Sequence, residues 1–391
     1  MMGAYMNIRD HDRKYDYLVV GAGMYGAAIA RVLTDQGFRV LVVERKDHIG
    51  GAAFTHEEDG IMIYDYGAHI FHTSDERVWD FVRRFADFRE YIHEPKAFYK
   101  GKLYSLPFNM NTFREMWGIT APQQAKEIIE KQIAASGFAA KEPSNLEEQA
   151  IRLVGTDVYE KLIKGYTEKQ WGRPCSELPA SIIRRIPVRY EYNNHYFDDK
   201  YQGLPADGYT AMVSRMLDGV DVMTGTDFLD PANRTELTPL ANRIIYSGQI
   251  DAYYGYCYGP LEYRGLRFET LHVPEEECFA GGAYQEAAVV NYTDVEVPWT
   301  RITEHKLFAE ERNVANVTGS IITREYSAKW HPGEDAFYPV ADDENRTRYE
   351  KYRKLAEQEK EVLFGGRLGS YRYMDMDDVI AAALSDAGMM I

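Results

Sequence analysis

The stretch from Tyr17 to Gly51 constrains this chain more than any other. It reads Tyr-Leu-Val-Val-Gly-Ala-Gly-Met-Tyr-Gly, then a helix-like run, then Val40-Leu-Val-Val43, Glu44-Arg45 and, shortly after, Gly50-Gly51. An apolar strand enters three glycines at GxGxxG spacing, and a second apolar strand ends on an acid. That order predicts a βαβ unit for a dinucleotide. Gly21 makes the tight turn. Gly23, followed by Met24, lets backbone N–H groups approach a pyrophosphate at the helix N-terminus, where the dipole favours anions. Gly26 allows close helix–strand packing, and Glu44 can accept from a ribose hydroxyl.

Gly50-Gly51 shifts the expectation from NAD to FAD. Flavoproteins of the glutathione-reductase and amine-oxidase type resemble this pattern, although a plain loop pair is the alternative. The far end of the chain agrees. Val362-Leu-Phe364 reads as a short strand running into Gly365-Gly-Arg367, and a helix can begin at Asp375. A late strand–glycine–helix that returns to a cofactor is needless in a simple NAD dehydrogenase.

The expected fold class is α/β, a Rossmann-like FAD-binding domain with a helical insert and an antiparallel β-sheet domain. With 391 residues and 45% apolar content a substantial core is available. We expect a disordered lead over 1–14 and the first part of the FAD-binding domain over 15–109. A helical substrate module would cover 110–185, an antiparallel sheet 186–345, and a return to the first domain 346–391. Within the helical module, Pro122 opens one helix, and Ser144 with Glu147 reads as a capping box for the next. The formal charge of −16 argues against general nucleic-acid or anionic-membrane binding. A few arginines focused in a cleft can still hold an anion. Three widely spaced cysteines give no disulfide or metal pattern and fit a reducing cytoplasm. No run approaches the length of a membrane helix.

Several segments carry candidate chemistry. Gly165-Tyr-Thr-Glu-Lys-Gln-Trp-Gly172 places Tyr166 and Trp171 just past a helix, where aromatic faces can stack on a base. Taken alone they read more readily as two core aromatics. The run Glu177 to Arg189, then Tyr192 and Tyr196, could grip phosphate through arginine forks or be a solvated basic face. Alternation over Val297–His305 predicts Trp299, Arg301 and Thr303 on one strand face. Tyr338 and Tyr373 offer phosphate donors without charge. His69 and His72 lack acidic or cysteine partners at metal spacing, so a loop beside the flavin, with a histidine hydrogen-bonding there, is expected, and no metal.

Taken together these motifs resemble the bacterial UDP-galactopyranose mutase family over about Tyr15 to Met376. The motifs are His48-Ile-Gly-Gly51, Gly67-x-His-Ile-Phe-His-Thr73, Lys164-Gly-Tyr-Thr167, Lys169-Gln-Trp-Gly172, Glu177-Leu-Pro-Ala-Ser181, Pro187-Val-Arg189, Gly208-Tyr-Thr210, Thr300-Arg-Ile-Thr-Glu-His305 and Gly366-Arg-Leu-Gly-x-Tyr371 with Met374-Asp-Met376. The resemblance implies that Arg185 and Arg301 grip a sugar-nucleotide diphosphate, with Tyr196, Tyr338 and Tyr373 donating to the same phosphates. Tyr166 would stack on uracil. Leu162, Thr167, Trp171 and Asn109 would lie near uridine and sugar, and Asn291 near sugar or phosphates. Glu44 and Arg45 would meet the adenosine side of FAD. Ala52, His69, Ile70, His72, Arg367, Met374, Asp375, Met376 and Val379 would surround the rest of the cofactor, with His72 among the catalytic groups.

What the resemblance implies chemically is ring contraction of UDP-galactopyranose to UDP-galactofuranose for galactofuranose-containing surface glycans. Reduced FAD would be the nucleophile at the anomeric carbon, with no net redox change. An electron donor such as NAD(P)H, a homodimer and a cytoplasmic setting follow from the same resemblance. Four departures bear on sugar discrimination and affinity: Ala52 for a usual Asn, Leu162-Ile163 for an often aromatic pair, Trp299 for Tyr, and Gln249 for Pro. An amine-oxidase-type oxidoreductase shares the N-terminal fingerprint but does not need the arginine–tyrosine set. A non-catalytic UDP-sugar-binding flavoprotein is the other alternative.

Overall fold

The computed structural model describes residues 15–139, 142–183, 188–279, 282–309, 314, 317–340 and 342–390. Arg185 and the expected lead over 1–14 lie outside the described residues.

Five parallel strands form the sheet that carries the βαβ unit. Their order is Asp221–Met223, Val40–Val43, Tyr15–Val20, Ala241–Tyr246, Val362–Phe364. Leu18, Val19, Val42 and Ile245 are wholly or almost wholly buried, as expected of a sheet covered on both faces. Helix Met24–Asp35 sits on it through Gly26, Ala27, Ala28 and Ala30, whose small side chains let the backbones approach. A Cβ on Gly26 would lie 1.8 Å from the Gly21 carbonyl oxygen and 3.2 Å from Val19. The late helix, Met376–Met390, packs against helix Met24–Asp35, and Tyr25 Oη donates to Asp386 Oδ2 across them at 2.6 Å.

Two strands of this sheet come from the middle of the stretch expected to form the antiparallel domain. Asp221–Met223 and Ala241–Tyr246 pair in parallel with the N-terminal strands instead. The second sheet has seven strands, in the order Tyr338–Pro339, Tyr263–Val273, Ser320–Lys329, Arg301–Glu304, Val289–Tyr292, Lys96–Tyr99, Lys102–Ser105. It is mixed rather than purely antiparallel, because Val289–Tyr292 runs parallel to Lys96–Tyr99. Lys96–Tyr99 and Lys102–Ser105 belong to the sequence region preceding the helical insert.

The helices Met110–Trp117, Pro122–Ser136, Leu146–Val158 and Lys164–Trp171 enclose a separate apolar cluster that includes Phe113, Ile129, Ile151, Tyr159 and Leu162. The expected capping box is displaced by one residue. Asn145 is the N-cap and its side chain accepts from Glu148 N, while Glu148 reaches back to Ser144 N and Oγ. Asparagine is at least as good a cap as serine, and Glu148 is the acid that lies three residues beyond Asn145. Tyr166 and Trp171 are inside a helix, not past its end: residues Tyr159–Ile163 take a π-helical turn and the chain continues helically to Trp171 before Gly172 ends it at φ 66°.

Candidate functional site

The carboxyl ends of the parallel strands open into a cleft of about 380 Å³. Its walls include Gly21, Gly23, Met24, Gly26, Glu44, Arg45, Gly50, Gly51, Ala52, His69, Arg367, Met376 and Val379, all expected from the sequence. Gly21 has φ 103° and Gly51 φ 56°, and a Cβ on Gly51 would stand 3.0 Å from Gly23 Cα. Two bare backbones therefore face one another across the turn, the cradle that a pyrophosphate needs. Glu44 accepts from Ala22 N at 2.8 Å and Lys46 N at 2.9 Å, which ties the glycine turn to the acid. Each of its oxygens keeps a lone pair for a ribose hydroxyl.

Other wall residues carried no sequence signal as cofactor contacts. Tyr66, Ser247, Gly248, Gln249, Tyr256 and the run Gly333–Phe337 also line the cleft. Asp335 spans its mouth, 2.5 Å from Arg45 Nη2 and 2.7 Å from Lys46 Nζ. Lys46 Nζ also donates to Tyr66 Oη at 2.7 Å. Four expected cofactor residues are not in the wall: His72, described below, and three others. Ile70 is packed in the main core, Met374 is buried and offers its carbonyl to Arg367 Nε at 3.1 Å, and Asp375 accepts from Tyr373 Oη at 3.0 Å. Their apolar bulk or their use of polar atoms within the loop keeps them behind it.

The second sheet delivers Arg301, whose charge reaches His69 in the cleft wall. Its Nη2 donates to Tyr166 Oη at 2.7 Å, and its Nε lies 3.5 Å from Glu325 Oε1. Burial works against the guanidinium charge, and the Glu325 carboxylate with the Tyr166 and Tyr338 hydroxyls outweighs it, so Arg301 stays ionised. Asn291 faces Arg301 directly across the paired strands, and its Oδ1, like Arg301 Nε, is buried without a hydrogen-bond partner. Tyr338 and Tyr373 stack with ring centres 6.1 Å apart, and the Arg367 guanidinium lies 5.2 Å from the Tyr373 ring. Tyr373 is 56% exposed and Tyr196 42% exposed as whole residues, while burial of their hydroxyls pushes both phenols up. Glu325 also sits against the Tyr66–His69 loop: a Cβ on Gly67 would be 3.1 Å from its Oε2. The arginine–tyrosine cluster and the glycine cleft are thus contiguous. Buried polar atoms without partners beside a charged fork suit a polar, anionic ligand.

The two histidines of the 67–73 loop take different roles. His69 faces the cleft with Nδ1 2.8 Å from Gly67 O, and burial pushes its imidazole down to about 4. His72 points away from the cleft wall, paired with Asp199 at 2.7 Å and stacked on Phe197 with ring centres 3.7 Å apart. His93, which no motif marked, is buried beside Tyr196 and Phe197 with Nδ1 unpartnered. Burial, with the nearby Arg301 charge, drives it down to about 3.

Three expected substrate or strand-face residues are placed otherwise. Asn109 is fully buried as the N-cap of helix Met110–Trp117: Oδ1 accepts from Asn111 N and Thr112 N, and Nδ2 donates to Asn193 O and Asn194 Oδ1. Its hydrogen-bonding capacity is spent on capping and on holding the 193–194 loop. Leu162 is buried in the helical core, because an aliphatic side chain there packs inward. Trp299 precedes strand Arg301–Glu304 and clusters with Ile302, on the face opposite Arg301, under the Arg324 guanidinium at 4.5 Å. Thr167 is buried on helix Lys164–Trp171, and Trp171 closes that helix half-buried against the helical cluster.

Comparison with known proteins agrees with this geometry. The UDP-galactopyranose mutase family model matches residues 161–373, and an NAD(P)-binding Rossmann-like domain model matches residues 19–85. A probable UDP-galactopyranose mutase of Klebsiella pneumoniae is 41% identical over 95% of this chain and 93% of its own length. A dTDP-fucopyranose mutase of Escherichia coli is 36% identical over 96% of this chain and 98% of its own. The crystal structure of a reduced UDP-galactopyranose mutase shares the fold, with TM-score 0.72 over 96% of this chain and 95% of that one at 14% identity. The glycine cleft, the Arg301 cluster beside it and the identity over nearly the full length lead to one conclusion: the chain belongs to the UDP-galactopyranose mutase family.

Proposed function

We propose that this chain interconverts UDP-galactopyranose and UDP-galactofuranose, with FAD in the glycine-rich cleft and active when reduced. The observation that carries the reading is the ionised Arg301, braced by Glu325 and joined to Tyr166, beside a dinucleotide cleft. A reduced flavin supplies an electron-rich nitrogen able to attack the anomeric carbon. Arg301 holds the diphosphate and stabilises the charge that develops as it leaves, and Arg185 acts with it. Tyr196, Tyr338 and Tyr373 donate to the phosphate oxygens. Tyr166 lies along the nucleoside, and Asn291, with Thr167 and Trp171 behind, borders the sugar end. His69, neutral because of its burial, offers a hydrogen bond without adding charge beside the flavin. His72 serves by holding the 67–73 loop to Asp199 rather than by touching a reacting atom.

An external donor such as NAD(P)H keeps the cofactor reduced, the working unit is a homodimer, and three free cysteines suit a reducing cytoplasm. Among the described residues no helix is long and apolar enough to cross a membrane.

Dithionite-reduced protein incubated with UDP-galactofuranose, with the products separated by chromatography, tests the reading. UDP-galactopyranose should accumulate with the reduced protein and not with the oxidised protein. Oxygen uptake with an amine would favour an oxidase, and UDP binding without conversion a non-catalytic receptor. The relative named dTDP-fucopyranose mutase supports a second reading, a deoxythymidine-diphosphate sugar as substrate. Running dTDP-fucopyranose in parallel separates the two by their kcat/KM ratio.

A further inference from the structure

One side chain fastens helix Lys164–Trp171 to the segment that leads into strand Arg301–Glu304. Lys169 Nζ donates to the carbonyl oxygens of Tyr292 at 2.7 Å, Asp294 at 2.8 Å, Val297 at 2.9 Å and Trp299 at 2.9 Å. An ammonium has three protons, so four acceptors exhaust it. The cage exists only if residues 292–299 curl around the charge. Helix and segment also touch backbone to backbone: a Cβ on Gly165 would be 2.3 Å from Thr293 O, and Thr293 Oγ1 donates to Lys161 O at 2.7 Å.

Both partners of the Arg301–Tyr166 contact hang from this joint. Tyr166 is three residues before Lys169, on the same side of the helix. Arg301 is two residues after Trp299, whose carbonyl the ammonium holds. The hydrogen bonds of Lys169 go to backbone carbonyls and not to the Arg301 side chain, and Lys169 does not line the cleft.

We propose that Lys169 is a positioning residue for diphosphate recognition: by gathering four carbonyls of residues 292–299, its ammonium sets the register between Tyr166 and Arg301. The inference rests on the reading that Arg301 grips the nucleotide diphosphate. Burial pushes Lys169 down to about 8, with Asp294 opposing, so the charge is kept there at a cost.

UDP titrations and steady-state kinetics on the FAD-loaded enzyme test it, using Lys169→Met, Lys169→Arg, Tyr166→Phe and the double variant Lys169→Met/Tyr166→Phe. Lys169→Met should weaken UDP binding about tenfold and lower kcat/KM at least as much, because a displaced Arg301 both holds the diphosphate and stabilises its departing charge. In the Tyr166→Phe background the same substitution should cost less than about twofold, because the two act through one network. Lys169→Arg should also weaken UDP binding, since a planar fork cannot serve four converging carbonyls, and it carries the test should Lys169→Met fail to fold. The proposal is overturned if both Lys169 variants bind UDP within about twofold of wild type, or if the Lys169 and Tyr166 effects multiply. Wild-type protein that fails to bind UDP would instead overturn the underlying functional reading.

Discussion

At the scale of single residues, the site turns on a charge whose company is chosen. The Arg301 side chain is 21% exposed and the Glu325 side chain 4% exposed. The buried carboxylate helps keep the fork ionised. Replacing Arg301 by alanine should cut turnover roughly 10²–10³-fold while flavin stays bound, the loss usual for one preorganised donor in a charge-stabilising site. Turnover within a few-fold of wild type would remove Arg301 from its role. Arg301 and Tyr166 stand in dense motifs that marked them for one site, and the structure joins them by a hydrogen bond, whereas Asn291 was marked only by the family resemblance. Asn109 was expected near uridine and sugar; the structure commits its side chain to capping helix Met110–Trp117 and to the distant 193–194 loop. His93 and Glu325 were illegible: Glu325 meets Arg301 only through strand pairing, and His93 reaches Tyr196 across a hundred residues of chain.

At the scale of elements, glycine-dictated packing was the most legible feature. Gly26 carries the joint between helix Met24–Asp35 and the first strand, and a methyl group there would overlap the Gly21 carbonyl. Gly26→Ala should cost at least about 2 kcal/mol, as overpacking against backbone does, and the purified variant should lack flavin absorbance. A normally coloured variant with unchanged Tm would show that the helix can shift without loss. Asn145→Ala should cost about 1 kcal/mol, the usual value of an N-cap, whereas Ser144→Ala should cost less, since exposed Ser144 Oγ donates to Glu148 and satisfies no helix N–H. Comparative urea unfolding of the two variants decides between them. Element ends were less legible than element identity. The π-turn at Tyr159–Ile163 keeps the chain helical through a stretch whose glycine suggested a break, because Gly165 is needed for close approach to Thr293 rather than to end the helix.

At the scale of the whole molecule, the parallel sheet collects strands from three distant parts of the chain. The first two and the last were readable from their glycine turns. Ala241–Tyr246 and Asp221–Met223 were not, because an apolar run carries no mark of whether its partner lies parallel or antiparallel to it. Global stability should respond to acid through buried neutral histidines. His305 is buried, hydrogen-bonded to Thr323 Oγ1 at 2.7 Å, and burial holds it down to about 3; His93 is held equally low. A folded-state value below the unfolded value near 6.5 means the unfolded chain takes up protons first. The contribution of each is complete above pH ~6.5 and is lost as pH falls, by up to about 1.4 kcal/mol per pH unit. Tm should therefore drop between pH 6.5 and 5, and His305→Gln should flatten that slope. A Tm that rises on acidification over this interval would contradict the assignment.

The contiguity of the glycine cleft and the Arg301 cluster is what makes them a single site, and a UDP-induced flavin difference spectrum tests it most directly. Titrating UDP into the flavin-loaded protein should perturb the visible flavin bands saturably, and Arg301→Ala should abolish the change at the same UDP concentrations. UDP binding that leaves the flavin bands untouched, or that proceeds equally well without Arg301, would mean that cofactor and nucleotide occupy separate places.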